Sequence, residues 1–91
     1  MTNKAYEHIL ERLAELDNKE DLTNLLNALL TENEQKELSN RLRIFAMLQQ
    51  QRPQREISEK LGVGIATVSR GAKAYRDLEI DKILPNLPKN L

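Results

Sequence analysis

Ninety-one residues, 40% hydrophobic and 31% charged with a formal net charge of zero, allow one small domain that buries roughly 60% of its unfolded surface. Sixteen Leu against three Gly, three Pro, one Phe, two Tyr and no Trp make an all-α composition whose core rests on aliphatic side chains. The absence of Cys excludes disulfides, thiolate zinc sites and Cys nucleophiles. No apolar run approaches the roughly 20 residues that span a bilayer and the N-terminus has no signal-peptide pattern, so the expected location is cytoplasmic, with no membrane partner.

In chain order, Thr2 is placed to cap a first helix over about 3–16, with Ala5, Ile9, Leu13 and Leu16 at helical spacing and Tyr6 and Leu10 widening the stripe. Asp17-Asn18 interrupts the pattern. A second helix carries Leu22, Leu25, Leu26, Leu29 and Leu30, more apolar surface than one helix of a small monomer usually hides. Thr31 with Glu34 three residues on forms a capping box for a third helix running to about Gln50, with Leu38, Leu42, Phe45 and Leu48 inward and Ile44 nearby. The polar stretch Gln49-Gln50-Gln51-Arg52-Pro53 ends it, since residues before proline avoid the α region, and the short Gln run reads as a helix end.

Two short amphipathic segments follow, Gln54–Leu61 and Ile65–Arg76, joined by Gly62-Val63-Gly64. A helix pair joined by a short turn with glycine is the helix-turn-helix arrangement. Ile57 and Leu61 face in from the first segment, Val63 plugs the turn, and Ile65 and Val68 face in from the second. Small Ser58 suits a close approach of the helices, and Gly62 suits a positive φ. The second helix starts with Ala66, Thr67, Ser69 and Arg70 outward, as a helix entering a major groove should. A last segment, Asp77–Leu84, reads as a short helix stopped by Pro85, and the tail 86–91 is expected to fray.

Zero net charge conceals a partition. Residues 1–38 hold four basic and nine acidic side chains, a balance of −5, whereas residues 39–76 hold eight basic ones against Glu56 and Glu59, a balance of +6. Residues 77–91 contribute −1. An acidic front and a basic back half suggest a polyanion-binding face carried on a scaffold. An enzyme is not expected. His8, the sole histidine, has no Cys or second His for a metal site, and Gly62-Val63-Gly64 is too short and follows a helix, so no nucleotide loop exists.

The stretches Leu29-Leu30-Thr31-Glu32-Asn33-Glu34, Asn40-Arg41-Leu42-Arg43-Ile44, Gln54-Arg55-Glu56-Ile57 and Gly62-Val63-Gly64-Ile65-Ala66-Thr67-Val68-Ser69-Arg70-Gly71 resemble the Trp repressor family. The similarity covers about residues 26–76, with one residue fewer near 49–52. It implies a six-helix subunit with a helix-turn-helix in an intertwined homodimer: core helices over 1–50, the reading head over 54–76 and a short C-terminal helix and tail over 77–91. The Leu-rich stripes of residues 9–48, too large for one chain to cover, agree with a partner subunit.

The resemblance further implies L-tryptophan as corepressor, with no metal. Arg41 and Arg70 match the pair that sandwiches the indole, and Arg70 also the arginine that holds the carboxylate. Thr31 matches a residue closing the pocket, beside the other subunit's main-chain carbonyls at Ala28 and Leu30 that accept from the ammonium. Thr67 and Gly71 match the floor. Gly71 inside a helix costs roughly 1 kcal/mol relative to Ala; close ligand approach or close helix packing are the two reasons to bear that cost, and the resemblance favours the ligand. Two positions depart from the family: Ala74 stands where it has a serine near the ammonium, and Ala28 is smaller than its leucine. Toward double-stranded operator DNA, Gly64, Ile65, Ala66, Thr67 and Ser69 match the start of the reading helix, where direct and water-mediated base contacts form. Arg55 matches an arginine near bases and phosphates, and Lys60, Lys73 and Arg76 are expected on phosphates. Ser58 replaces a family lysine, which implies a different or weaker operator. The resulting expectation is a repressor of tryptophan biosynthesis or transport genes. The alternatives are a DNA-binding regulator of the same superfamily that does not use tryptophan, and a helical protein-interaction adaptor.

Overall fold

A computed structural model of the chain describes residues 3–91, in which every regular element is helical. Among these residues six helices follow one another: α1 (Lys4–Glu15), α2 (Lys19–Leu29), α3 (Glu32–Gln49), α4 (Gln54–Leu61), α5 (Ile65–Asp77) and α6 (Ile80–Ile83). They group into two compact units, Met1–Glu34 and Gln35–Leu91. No helix is long and apolar enough to cross a membrane.

In the first unit each helix starts at an asparagine. The Asn3 side chain accepts from the Tyr6 N–H at 3.1 Å, and that of Asn18 from the Asp21 N–H at 2.8 Å. Each satisfies one of the donors that a helix start leaves unpaired. Thr2, expected as the first cap, lies outside the described residues. Neither α1 nor α2 buries a residue, and Tyr6, Leu10, Leu26 and Leu29 are all exposed. At the end of this unit the capping box forms as expected. The Glu34 N–H donates to Thr31 Oγ1 at 3.1 Å, and the Thr31 N–H to Glu34 Oε1 at 2.9 Å.

The core of the second unit consists of Ile44, Met47, Ile57 and Val68, with Leu48, Leu61 and Val63 packed around it. The inward face expected for α3 needs correction. Leu38 is 56% exposed, Leu42, Phe45 and Leu48 are half-buried, and the buried residues are Ile44, Ala46 and Met47. Positions 38, 42 and 45 share one face of the helix, whereas 44, 47 and 48 share another, and the second is the face that α4 and α5 cover. A helix with two apolar faces offers no periodicity from which to tell which is covered within the chain. Phe45 lies against Tyr75 of α5, their ring centroids 5.6 Å apart.

The end of α3 owes more to Gln51 than to Pro53. Gln51 adopts φ 61°, and the Arg52 N–H reaches back to the Met47 carbonyl while the Gln51 N–H reaches Leu48, closing the helix with a left-handed residue. Pro53 then opens α4 at φ −64°. The α4–α5 turn repeats this closure with Gly62 at φ 67°, and the Gly62 and Val63 N–H groups share the Ser58 carbonyl. Ser58 Oγ donates to the Val63 carbonyl at 2.6 Å, so this small residue ties the turn itself.

Three further expectations change. Ile65, as the first residue of α5, projects beyond α4 and is 52% exposed, so it does not face in with Val68. Asp77 belongs to α5, and α6 is one turn, because Glu79 at φ 50° interrupts the chain between them. The tail does not fray: the Gln49 amide donates to the Leu84 carbonyl at 2.7 Å and accepts from the Leu87 N–H at 2.8 Å, and Arg43 Nε donates to the Leu91 carbonyl at 2.9 Å. Gln49, read as part of a helix end, is the anchor.

Candidate functional site

Glu37, Asn40 and Arg41 stand at i, i+3 and i+4 on α3 and so share one face. Opposite them, Val63 and Gly64 belong to the turn, and Thr67 and Arg70 stand three residues apart on α5. These seven side chains and main-chain segments line a cavity of about 460 Å³. Its size falls within the range of small-molecule sites, roughly 300–1,000 Å³. Three of the residues expected at the tryptophan site, Arg41, Thr67 and Arg70, therefore come together. A second cavity, of about 90 Å³ between Arg43, Met47, Lys60 and Leu91, is too small for a bicyclic amino acid and lies under the tail.

Gly71 is buried where α5 crosses α3. A Cβ added there would stand 3.0 Å from Ile44 Cγ2 and 3.4 Å from Arg41 Cδ. Close helix packing thus accounts for this glycine, against the expectation that favoured the ligand. The same closeness lays the Arg41 stem along α5, on the way into the cavity. Ala74, half-buried on the same helix, carries no polar group. Ala28 and Leu30 lie at the end of α2, exposed and half-buried respectively, and the Thr31 hydroxyl caps α3.

The expected DNA-facing residues occupy the α4–α5 pair. Arg55, Lys60, Gly64, Ile65, Ala66, Ser69, Lys73 and Arg76 are all exposed, whereas Thr67 is half-buried at the cavity. Gly64 caps α5 with its main chain only, leaving the first N–H groups of α5 without a side-chain acceptor, a disposition that favours phosphate. Ser69 Oγ donates to Gln54 Oε1 at 2.8 Å, so the start of α4 orients a side chain of the reading helix.

Asp77 was not singled out in the sequence, yet it engages two of the three expected phosphate ligands. Lys73 Nζ donates to Asp77 Oδ2, and Arg76 Nε lies 3.4 Å from Oδ1. The Lys73 ammonium holds the Asp77 carboxyl below its ordinary value, with Arg76 adding to this and partial loss of hydration opposing it. The signal available in the sequence was the i, i+4 spacing of 73 and 77. Likewise, Glu37 and Asn40 were legible as neighbours of Arg41 on one helical face.

A family model described as Trp repressor protein matches residues 4–82. A protein named Trp operon repressor homolog from Xylella fastidiosa is 34% identical over 82 residues, 89% of each chain. One of the same name from Photobacterium profundum is 45% identical over 68 residues, 74% of this chain and 64% of its own. Another, from Vibrio campbellii, is 34% identical over 84 residues, 88% of this chain and 84% of its own. No solved structure gives a significant match.

Proposed function

The chain belongs to the Trp repressor family, a family of non-enzymatic DNA-binding regulators, and from that premise we propose that it represses transcription as a homodimer whose operator affinity is set by L-tryptophan. The observation that carries the proposal is the cavity shared by Arg41, Thr67 and Arg70, because α5 is at once its wall and the reading helix. A planar ring between two guanidinium groups gains cation–π attraction on both faces, about 2 kcal/mol or more where water is excluded. The ligand carboxylate pairs with Arg70, whose fork matches it in two hydrogen bonds.

Filling a cavity between α3 and α5 restricts the angles that α5 can take. In a dimer the two reading helices must enter successive major grooves about 34 Å apart, so a ligand that favours that spacing raises operator affinity. The coupling is reciprocal: operator DNA must tighten tryptophan binding by the same factor. Arg55, Lys60, Lys73 and Arg76 serve phosphates, and Gly64, Ile65, Ala66, Thr67 and Ser69 meet the bases. In support of the dimer, α1 and α2 bury nothing, and Leu10, Leu29, Leu38 and Leu78 are 48%, 45%, 56% and 64% exposed. Thr31 and the main chain at Ala28 and Leu30 would then complete the site from the second subunit, and the genes controlled are those of tryptophan synthesis or uptake.

Operator binding measured at zero and saturating L-tryptophan tests the reading, with at least tenfold tighter binding expected in its presence. Equal affinity in both conditions would remove tryptophan as effector and leave a tryptophan-independent regulator, the reading that Ala74 favours. No binding even at low salt would leave an interaction adaptor. A monomer at every concentration in sedimentation would sink the dimer.

A further inference from the structure

Resting on operator binding and not on tryptophan, we infer that Gln54 is a positioning residue for base readout. It takes the hydroxyl proton of Ser69, so that Ser69 meets the operator as an acceptor only and selects adenine or cytosine at the base it touches. Ser69 follows Ile65 by four residues and Ala66 by three on α5, and all three are exposed, so they share one outward face of the reading helix. Ser69 Oγ donates to Gln54 Oε1 at 2.8 Å, from one helix to the other across fifteen positions of chain. The frame behind this bond is fixed. Ile57 of α4 and Val68 of α5 are fully buried in the common core, and Ser58 Oγ ties the turn between the helices through the Val63 carbonyl.

A serine hydroxyl carries one proton and two lone pairs, and a free one rotates to donate or to accept as its partner requires. Here an amide oxygen, which can only accept, holds the proton. What remains for the DNA is the lone pairs. In the major groove adenine N6 and cytosine N4 present donors, whereas guanine O6 and N7 and thymine O4 present acceptors. Facing guanine or thymine, Ser69 would set acceptor against acceptor or give up its bond to Gln54. Those bases are therefore rejected as well as unrewarded, the two halves of discrimination. Ile65 and Ala66, the neighbours of Ser69 on this face, carry no side-chain donor or acceptor, so the distinction in that row falls to Ser69.

The test is selection from random-sequence duplexes at saturating L-tryptophan, read by sequencing, with the full chain and with Ser69→Ala, Gln54→Ala and Gln54→Glu. Gln54 and Ser69 are both exposed, so the substitutions leave folding intact, as helical circular dichroism will report. Ser69→Ala should lose preference at one position of each half-site, where the parent enriches adenine or cytosine by about fivefold, as one hydrogen bond allows. Gln54→Ala frees the hydroxyl to donate, so the preference at that same position should fall to about twofold or less while the other positions stay unchanged. Gln54→Glu, whose carboxylate can only accept, should keep the preference although its charge lowers affinity overall. The inference is overturned, with operator binding left standing, if Gln54→Ala keeps the parent's preference or Gln54→Glu relaxes as far as Gln54→Ala. It is equally overturned if Ser69→Ala loses no position, or if the position it loses is guanine or thymine in the parent. No enriched sequence with the parent overturns operator binding and this inference together.

Discussion

Gly71→Ala sets two opposed effects against each other. Replacing glycine by alanine inside a helix ordinarily stabilises by about 1 kcal/mol. Here the new Cβ would lie 3.0 Å from Ile44 Cγ2, well inside the roughly 3.5–4.0 Å at which carbon atoms attract. Ile44 is 0% exposed and packs with Ile57 and Val68, both also 0% exposed, so it has no space into which to retreat. Overpacking of this kind costs about 1–3 kcal/mol. The net expectation is a loss of about 1 kcal/mol, or roughly 4–8 °C in Tm for a domain of this size. Thermal unfolding at fixed protomer concentration measures it, since assembly makes Tm depend on concentration. Ile44→Leu removes the offending methyl from Cβ while conserving volume, so in its background Gly71→Ala should become neutral or stabilising. A Gly71→Ala protein more stable than the parent would refute the packing account and return the glycine to the ligand. The same substitution presses on Arg41 Cδ at 3.4 Å, so it should also weaken tryptophan binding.

Gln51 sits at φ 61°, where a Cβ costs about 1 kcal/mol, so Gln51→Gly should raise the denaturation midpoint, whereas Gly62→Ala at φ 67° should lower it by a comparable amount. The Thr31 N–H, then the Thr31 hydroxyl, hold the Glu34 carboxyl below its ordinary value of 4.5. A depressed carboxyl contributes stability at pH above that value and loses it as pH falls through its lowered value. Acid titration followed by circular dichroism should accordingly show Glu34→Gln with a smaller loss below pH 4.5 than the parent. Lys73→Ala should weaken binding across DNA sequences alike and flatten the salt dependence by about one unit of slope, while Asp77→Asn, by releasing Lys73 and Arg76, should tighten binding to non-operator DNA at low salt. A Lys73→Ala protein with an unchanged slope in salt-dependent gel shifts would remove this residue from the phosphate contacts.

Local signals were enough for several features. The Thr31–Glu34 box, Gln54–Leu61 as a helix, the left-handed Gly62 and the inward Ile57 and Val68 depend on neighbours within a few residues, and sequence spacing records such neighbours directly. Arg41, Thr67 and Arg70 were likewise legible as a set through the family they resemble. What the sequence left open depends on groups far apart in the chain. Which apolar face of α3 is covered follows from where α4 and α5 settle, and that gave the core to Ile44 and Met47 and left Leu38 exposed. Gln49 holds Leu84 and Leu87 across more than thirty positions, so nothing adjacent to it announced an anchored tail. The reason for Gly71 was open between ligand and packing until α3 and α5 were placed, because a missing side chain looks the same for both. Sequence by itself determined six helices, a turn and a set of charges. Tertiary structure decided which faces meet, and thereby that Gln54 holds the Ser69 hydroxyl from the neighbouring helix.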